Sequence, residues 1–288
     1  MKKWVLIVGL FAIAGAIYIF IPREHKISKV VKGKCSIQAA NRCFTDTSKW
    51  AKWWPQGGPG YEITGVYYNE VRVRLRAAGD TGIGGVMRIA QINMDSVAVG
   101  WESEAVRLRH KKEVGENIDV ILNAFRSFVE KPENIYGVNF KQTLSKDSTL
   151  ITLNLVSTSY PTTALVYRMI DSLKDYAASQ HAKEINYPML HVSQISNTEY
   201  KVMVALSLDK TLAGTGRIVI KRFVPWKMLE GEVYGGTSVV NKGLRQLFLF
   251  RDDHKLSIMA VPFQSLITDR SKEQDSTKWV TKVCAPIS

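Results

Sequence analysis

Cysteine is scarce: Cys35, Cys43 and Cys284 are the only three among 288 residues. An odd count without Cys-x-x-Cys or Cys/His spacing excludes a disulfide framework and a zinc knuckle, although a Cys35–Cys43 bridge stays geometrically conceivable. The chain contains no G-x-S-x-G elbow, no H-E-x-x-H and no P-loop, so it carries none of the hydrolase, metalloprotease or nucleotide-binding signatures whose spacing has a mechanism. The histidines, His25, His110, His181, His191 and His254, include no i,i+4 pair that would hold a metal from one helix face. Low-complexity segments and heptads are also missing, which excludes a coiled coil. Acid is in short supply, with 26 Asp and Glu against 39 Lys and Arg, for a net charge of +13. The excess is spread: residues 1–131 carry 20 basic against 12 acidic residues, and 132–288 carry 19 against 14. No basic motif sits on a nucleic-acid recognition element, so no nucleic-acid partner is expected.

What is present begins at the N-terminus. Trp4 to Ile21 is a run of 18 residues without a charge. As a helix it reaches about 27 Å, close to the roughly 30 Å of a bilayer core. Lys2, Lys3 and the Ala12-Ile13-Ala14 triplet also suit a cleaved signal peptide. The apolar run continues to Ile21, which favours an uncleaved transmembrane anchor over residues 1–24. Arg23, Lys26, Lys29, Lys32 and Lys34 follow. By the positive-inside rule they favour a cytoplasmic body, whereas a two-lysine start is also that of a signal anchor whose body lies outside. Anionic lipid beside residues 4–21 is the partner expected for this basic flank.

The remainder is globular in composition, with 45% hydrophobic and 23% charged residues overall, and too long for one typical core, so two domains are expected. Strands are expected over Ile27–Ala39, Tyr61–Tyr68, Glu70–Ala77, Gly84–Met94 and Val97–Ala105, with helices over Asn41–Trp54 and Asn117–Val129. Val71, Val73 and Leu75 alternate with Arg72, Arg74 and Arg76, as in a half-buried strand. After Lys131-Pro132, strands are expected over Tyr136–Leu144 and Leu150–Ser157, then a helix over Thr162–Lys183 with Leu165, Met169, Leu173 and Tyr176 on one face. Further strands are Leu190–Ile195, Tyr200–Leu208, Ile218–Phe223 and Lys227–Tyr234. A second helix, Val239–Phe250, precedes closing strands at Ser257–Thr268 and Trp279–Cys284. Strands, helix and strands occur twice, consistent with an internal duplication.

Two resemblances follow from these patterns. Residues 27–131, with a strand, a short helix ending in Trp50-Ala-Lys-Trp53-Trp54-Pro55, antiparallel strands and a closing helix, resemble the START-like helix-grip (SRPBCC) superfamily. That resemblance implies an apolar ligand cavity between sheet and long helix. Trp50, Trp53 and Trp54 then either wall a ligand or simply pack the core. Residues 134–288 resemble the gyrase-inhibitor-like (GyrI-like) effector-binding domain of multidrug sensors, through Leu229-Glu-Gly-Glu-Val-Tyr-Gly-Gly236, Ile258-Met-Ala-Val-Pro-Phe-Gln264 and Trp279-Val-Thr-Lys-Val-Cys-Ala-Pro-Ile287. The whole resembles a bacterial membrane-anchored family carrying both modules. The fold class expected is α+β: an N-terminal transmembrane helix, a START-like module and a duplicated sheet-plus-helix effector-binding domain.

The second resemblance implies a groove between two sheet-helix halves that takes small cationic or aromatic molecules, with a groove glutamate meeting the cation. Gln264 stands where that glutamate is expected. Strand alternation places Glu230, Glu232 and Tyr234 together, opposite Leu229 and Val233. With Trp226, Phe263, Gln264 and Trp279 they form the candidate ligand-binding set, attracting a cation through charge and ring faces. The alternative is that Glu230 and Glu232 are ordinary solvent-facing strand residues. Some relatives hydrolyse strained electrophiles with a groove glutamate as base, and Glu232 is the one candidate for that role. Asp252-Asp253 and Asp269-Arg270 read as loop charges. No cofactor and no metal are expected. The function expected is small-molecule binding at a membrane, with a hydrolase or a partner-binding structural protein as the alternatives.

Overall fold

The computed structural model describes residues 24–76, 82–146 and 148–288. The expected anchor over residues 4–21 and its neighbour Arg23 lie outside them. Among the described residues no helix is long and apolar enough to cross a membrane. This corrects the expectation of a single-pass membrane protein with a cytoplasmic body. The expected lipid-facing flank finds no support among the described residues, where part of it belongs to the first sheet. Lys29 and Lys32 belong to strand Ser28–Gly33, the Lys29 ammonium pairs with the Asp119 carboxylate, and the Lys34 N–H donates to Glu130 Oε1 at 3.2 Å.

The chain is α+β and divides into two compact units between Glu130 and Lys131. In the first unit, β1 (Glu24–His25) pairs with β7 (Val106–Arg107). β2 (Ser28–Gly33), β3 (Gly60–Tyr67), β4 (Glu70–Arg76), β5 (Ile83–Asn93) and β6 (Ser96–Ser103) form an antiparallel sheet in the order β2-β6-β5-β4-β3. The expected strand over Ile27–Ala39 is cut short: Ser36 Oγ accepts from the Ala39 N–H at 3.2 Å and starts helix α1 (Ile37–Thr45), an N-cap that satisfies an otherwise orphaned donor. A short helix α2 (Trp50–Trp53) follows. The long helix α3 (Lys111–Val129) buries Ile118, Ile121, Leu122 and Phe125 at helical spacing, each worth about 1.5–3 kcal/mol of transfer free energy. Trp50, Trp101, Phe44, Phe125 and Met87 are fully buried. Trp50 lies with its ring centroid 4.7 Å from that of Trp53 and 5.6 Å from that of Trp54, and Trp53 meets Phe125 edge-on at 4.9 Å. These rings occupy the region where the START-like resemblance implies a cavity, so Trp50 and Trp53 are core residues here. Gly85 belongs to the same packing: a Cβ there would come within 2.5 Å of the Trp101 ring.

In the second unit the topology repeats. β8 (Lys141–Leu144), β9 (Ser148–Ser157), α5 (Thr163–Ser179), β10 (Met189–Ser196) and β11 (Glu199–Leu208) are followed by β12 (Ile218–Phe223), β13 (Lys227–Tyr234), α6 (Thr237–Asp253), β14 (Phe263–Leu266) and β15 (Val280–Ile287), and a one-turn helix α4 (Pro132–Tyr136) precedes them. One sheet joins both copies in the order β12-β9-β11-β10-β14-β15-β13-β8. The first strand of each copy therefore pairs with the other copy: β8 lies beside β13, and β12 beside β9. Helix α5 packs on Val202, Val204, Leu206, Leu190 and Leu266. Helix α6 packs on β13 and β15, closely enough that a Cβ on Gly243 would meet Val233 at 2.6 Å. The register places Leu266 opposite Thr281 and Thr281 opposite Val233, so both helices cover the same face of the sheet. Among the described residues of this unit, no helix of the two copies covers the opposite face.

Candidate functional site

Directly paired residues of an antiparallel sheet point to the same side. One row on the helix-free face therefore runs Thr152, Ala205, Met189, Ser265, Lys282 and Glu232. A second row runs Phe263, Cys284, Glu230 and Lys141. At the seam between the two copies this face sinks into a groove with a cavity volume of about 200 Å³. Its floor is Thr152, Met189, Met203 and Ala205, and its walls are Phe223, Trp226 and Phe263. Phe223 ends β12, the second copy's first strand, which pairs with the first copy's β9, Phe263 begins β14 of the same second copy, and their rings meet edge-to-face with centroids 6.3 Å apart. The loop that carries Trp226 is pinned by Ser145. The Trp226 N–H donates to Ser145 Oγ at 2.8 Å, Ser145 Oγ donates to the Val224 carbonyl at 3.3 Å, and the Ser145 N–H donates to the Trp226 carbonyl at 2.9 Å.

The polar groups of the groove are few. His191 Nδ1 lies 2.7 Å from the Pro262 carbonyl oxygen, so Nδ1 carries the hydrogen and Nε2 is the acceptor in the neutral ring. Burial pushes its pKa below the ordinary imidazole value. The hydrogen bond to Pro262 opposes the shift, and the nearby Lys201 charge adds to it. Lys221 and Arg222 line the rim, and the Lys221 ammonium lies 3.7 Å from Met203 Sδ. Among the described residues that line the groove there is no aspartate or glutamate.

The seven residues singled out in the sequence separate into four places. Trp226 and Phe263 are in the groove. Glu230, Glu232 and Tyr234 lie on the same sheet face but line a different, polar depression with Lys141 and Lys282. β13 is three strands from β10, roughly 14 Å at the usual strand spacing. There Lys282 Nζ donates to Glu230 Oε1 at 3.2 Å, and the Tyr234 hydroxyl donates to Glu232 Oε2 at 3.1 Å. That bond to a carboxylate raises the Tyr234 pKa. Gln264 is buried on the opposite face, since it pairs with Leu190 beneath α5. Trp279 is buried against the Arg270 guanidinium, 4.8 Å from its ring centroid, and its indole N–H donates to the Glu273 carbonyl at 2.8 Å. Arg270 is itself buried, contrary to its reading as a loop charge, and its pKa falls because burial disfavours the cation.

Met189, His191, Met203, Lys221 and Phe223 were not singled out in the sequence. One signal for them exists. The run Val202-Met-Val-Ala-Leu-Ser-Leu208 is nearly continuous in apolar residues, the pattern of a strand covered on both faces. Cys35, Cys43 and Cys284 are all buried and none is in a disulfide, so the conceivable Cys35–Cys43 bridge is not formed. Burial pushes the Cys284 thiol up to about 12, so it is no nucleophile. Among the described residues no group of three or more His, Cys, Asp or Glu is placed to hold a metal ion.

No family model matches the chain, and no curated protein matches it. Solved structures do resemble it at low identity. The EcmrR C-terminal domain aligns at 11% identity over 52% of this chain and 98% of its own, with a TM-score of 0.46. SAV2435 bound to tetraphenylphosphonium aligns at 10% identity over 52% of this chain and 93% of its own, with a TM-score of 0.34. The ZhuI aromatase/cyclase from Streptomyces sp. R1128 aligns at 13% identity over 38% of this chain and 94% of its own, with a TM-score of 0.29. The first two are of the effector-binding type and the third is of the START-like type. The likeness is one of fold, and it carries no ligand or activity to this chain.

Proposed function

We propose that the second unit binds a small, mainly apolar molecule in the groove on its helix-free face. The observation that supports this reading is the groove itself: a hollow of about 200 Å³ walled by Phe223, Trp226 and Phe263 and floored by two methionines. A dry apolar cavity of about 150 Å³ is enough for a benzene ring, so this one suits one or two fused rings. Methionine floors adapt to ligand shape because the side chain is unbranched and polarisable. Few convergent polar groups with mostly apolar walls are the usual composition of a ligand pocket. A catalytic reading has less to build on, since Glu232, its candidate base, lies outside the groove and is hydrogen-bonded to Tyr234.

Calorimetric titration of the full chain with naphthalenemethanol tests the reading. Saturable binding is expected, and Ala260→Trp, which places an indole in the groove from an exposed rim position, should abolish it without changing the melting temperature. An absence of binding, or binding untouched by the filled groove, would overturn the proposal.

A further inference from the structure

We propose that this groove prefers apolar ligands bearing one negative charge, such as an aromatic carboxylate or sulfonate, and that Lys221 is the residue that meets the charge. The inference rests on the groove being the binding site and goes on to name the chemistry of the ligand.

Four observations converge. First, Lys221 is the lysine or arginine of the groove lining whose side chain stands on this face, since Arg222 pairs with Thr149 and Thr149 with Leu208 of the helix-covered core, and none of the described lining residues is an acid. Second, the Lys221 ammonium lies 3.7 Å from the thioether of Met203. Met203 is part of the floor, so the charge is held over the hollow, and a thioether sulfur is a weak acceptor that leaves an ammonium's donors open to a better one. Third, the two carboxylates of β13 on the same sheet face are engaged: Glu230 takes the Lys282 ammonium and Glu232 takes the Tyr234 hydroxyl. Fourth, the ring nitrogen of His191 that carries its hydrogen is occupied by Pro262. The imidazole therefore offers a ligand a lone pair and no negative charge.

A cation in this groove would face the like charge of Lys221, with ring faces and the neutral His191 lone pair as its attraction and no carboxylate among the described lining residues to offset that charge. An anion with a flat apolar body buries its rings against Phe223, Trp226 and Phe263. Its head stays at the rim beside Lys221, where water still solvates both partners and the preference is accordingly moderate. This is the reverse of the cation preference that Glu230 and Glu232 suggest from the sequence.

Three naphthalene probes of equal body and different head decide the matter: naphthoate, naphthalenemethanol and naphthylmethylammonium, titrated calorimetrically into the full chain at low salt. Naphthoate should bind roughly fivefold tighter than the alcohol, and the ammonium compound more weakly than the alcohol. Lys221→Gln should bring naphthoate down to the affinity of the alcohol and leave the alcohol unchanged. Equal affinities for all three probes, or a preference for the cation, would overturn the inference while leaving the groove as the binding site. Failure of all three to bind would overturn the groove reading itself. An anion preference that survives Lys221→Gln would remove Lys221 from the assignment.

Discussion

Lys282 Nζ sits 3.2 Å from Glu230 Oε1, across the pair of strands β13 and β15, with both side chains about three-quarters buried (30% and 23% exposed). The register sets Lys282 directly opposite Glu232 and one step along from Glu230, so the protein carries its own cation at the place where the sequence suggests a foreign one. A ligand cation would have to displace a resident ammonium already inside its hydrogen-bond shell.

It follows that binding of cationic aromatic dyes should not depend on these carboxylates. Glu232→Gln and Glu230→Gln are expected to leave dye affinity unchanged in a fluorescence titration. Glu230→Gln should also lower stability by about 0.2–1 kcal/mol, the range of partly exposed ion pairs, read from the urea midpoint. A clear loss of dye affinity in either variant would return the cation site to this strand.

Trp226 is expected to govern ligand affinity without governing the fold. Its indole is half-buried in the groove wall, while its backbone is held by Ser145. Trp226→Ala should weaken naphthalenemethanol binding about tenfold, as loss of a central aromatic anchor does. Ser145→Ala removes the hydroxyl hook and keeps the ring, so it should weaken binding less and by way of a looser loop. Calorimetry on the two variants ranks the effects, and the reverse order would mean that loop position matters more than the ring.

The sequence made the elements legible where pattern and partner coincide. Val71, Val73 and Leu75 alternate with three arginines, and β4 buries the first set and exposes the second. Strands β12 and β13 fall where alternation places them. The expectation fails where a local signal outweighs alternation. Tyr136 belongs not to a strand but to α4, because Pro132 starts the turn and Gly137 closes it at φ 72°, a conformation glycine adopts freely. The expected strand from Ser257 shrinks to Phe263–Leu266, because Ser257–Pro262 has only the isolated Ile258–Ile287 bridge to pair with. For the site, alternation correctly places Glu230, Glu232 and Tyr234 on one face away from the helix. It is silent on strand order. That β10 lies beside β14, and β13 three strands away, is a long-range pairing that no local periodicity encodes, and it decides which aromatic residues share the groove.

Trp50 should be a stability residue of the first unit. It is fully buried, packed against Trp53, Trp54 and Tyr61, and its indole N–H donates to the Phe44 carbonyl at 2.7 Å. Trp50→Ala removes both packing and partner and is expected to cost about 3–5 kcal/mol, visible as an early transition in urea. Trp50→Phe keeps most of the ring volume and loses the donor, so it should cost less. A near-neutral Trp50→Ala would reopen this space as a ligand cavity.

The last prediction concerns pH and His191. Burial holds its folded-state pKa below the ordinary 6.5, against the pull of its bond to Pro262 and with the help of Lys201. The folded protein is therefore the poorer proton acceptor at this position. As pH falls through the region below 6.5, the unfolded chain takes up a proton here before the folded chain does, and stability declines. Above that region both states hold a neutral ring and the contribution vanishes. Acidification also weakens the protein through Asp46, Glu70, Asp269 and Asp275, whose hydrogen-bonded carboxyls have lowered pKa values, but that loss is common to wild type and variant. The quantity to measure is thus the difference in melting temperature between wild type and His191→Gln across the pH range. Glutamine keeps a donor for Pro262 and does not titrate, so the wild type should lose ground to the variant as pH drops below about 6.5. A difference that stays constant with pH, or one that grows in favour of the wild type on acidification, would show that the ring is not held neutral by burial.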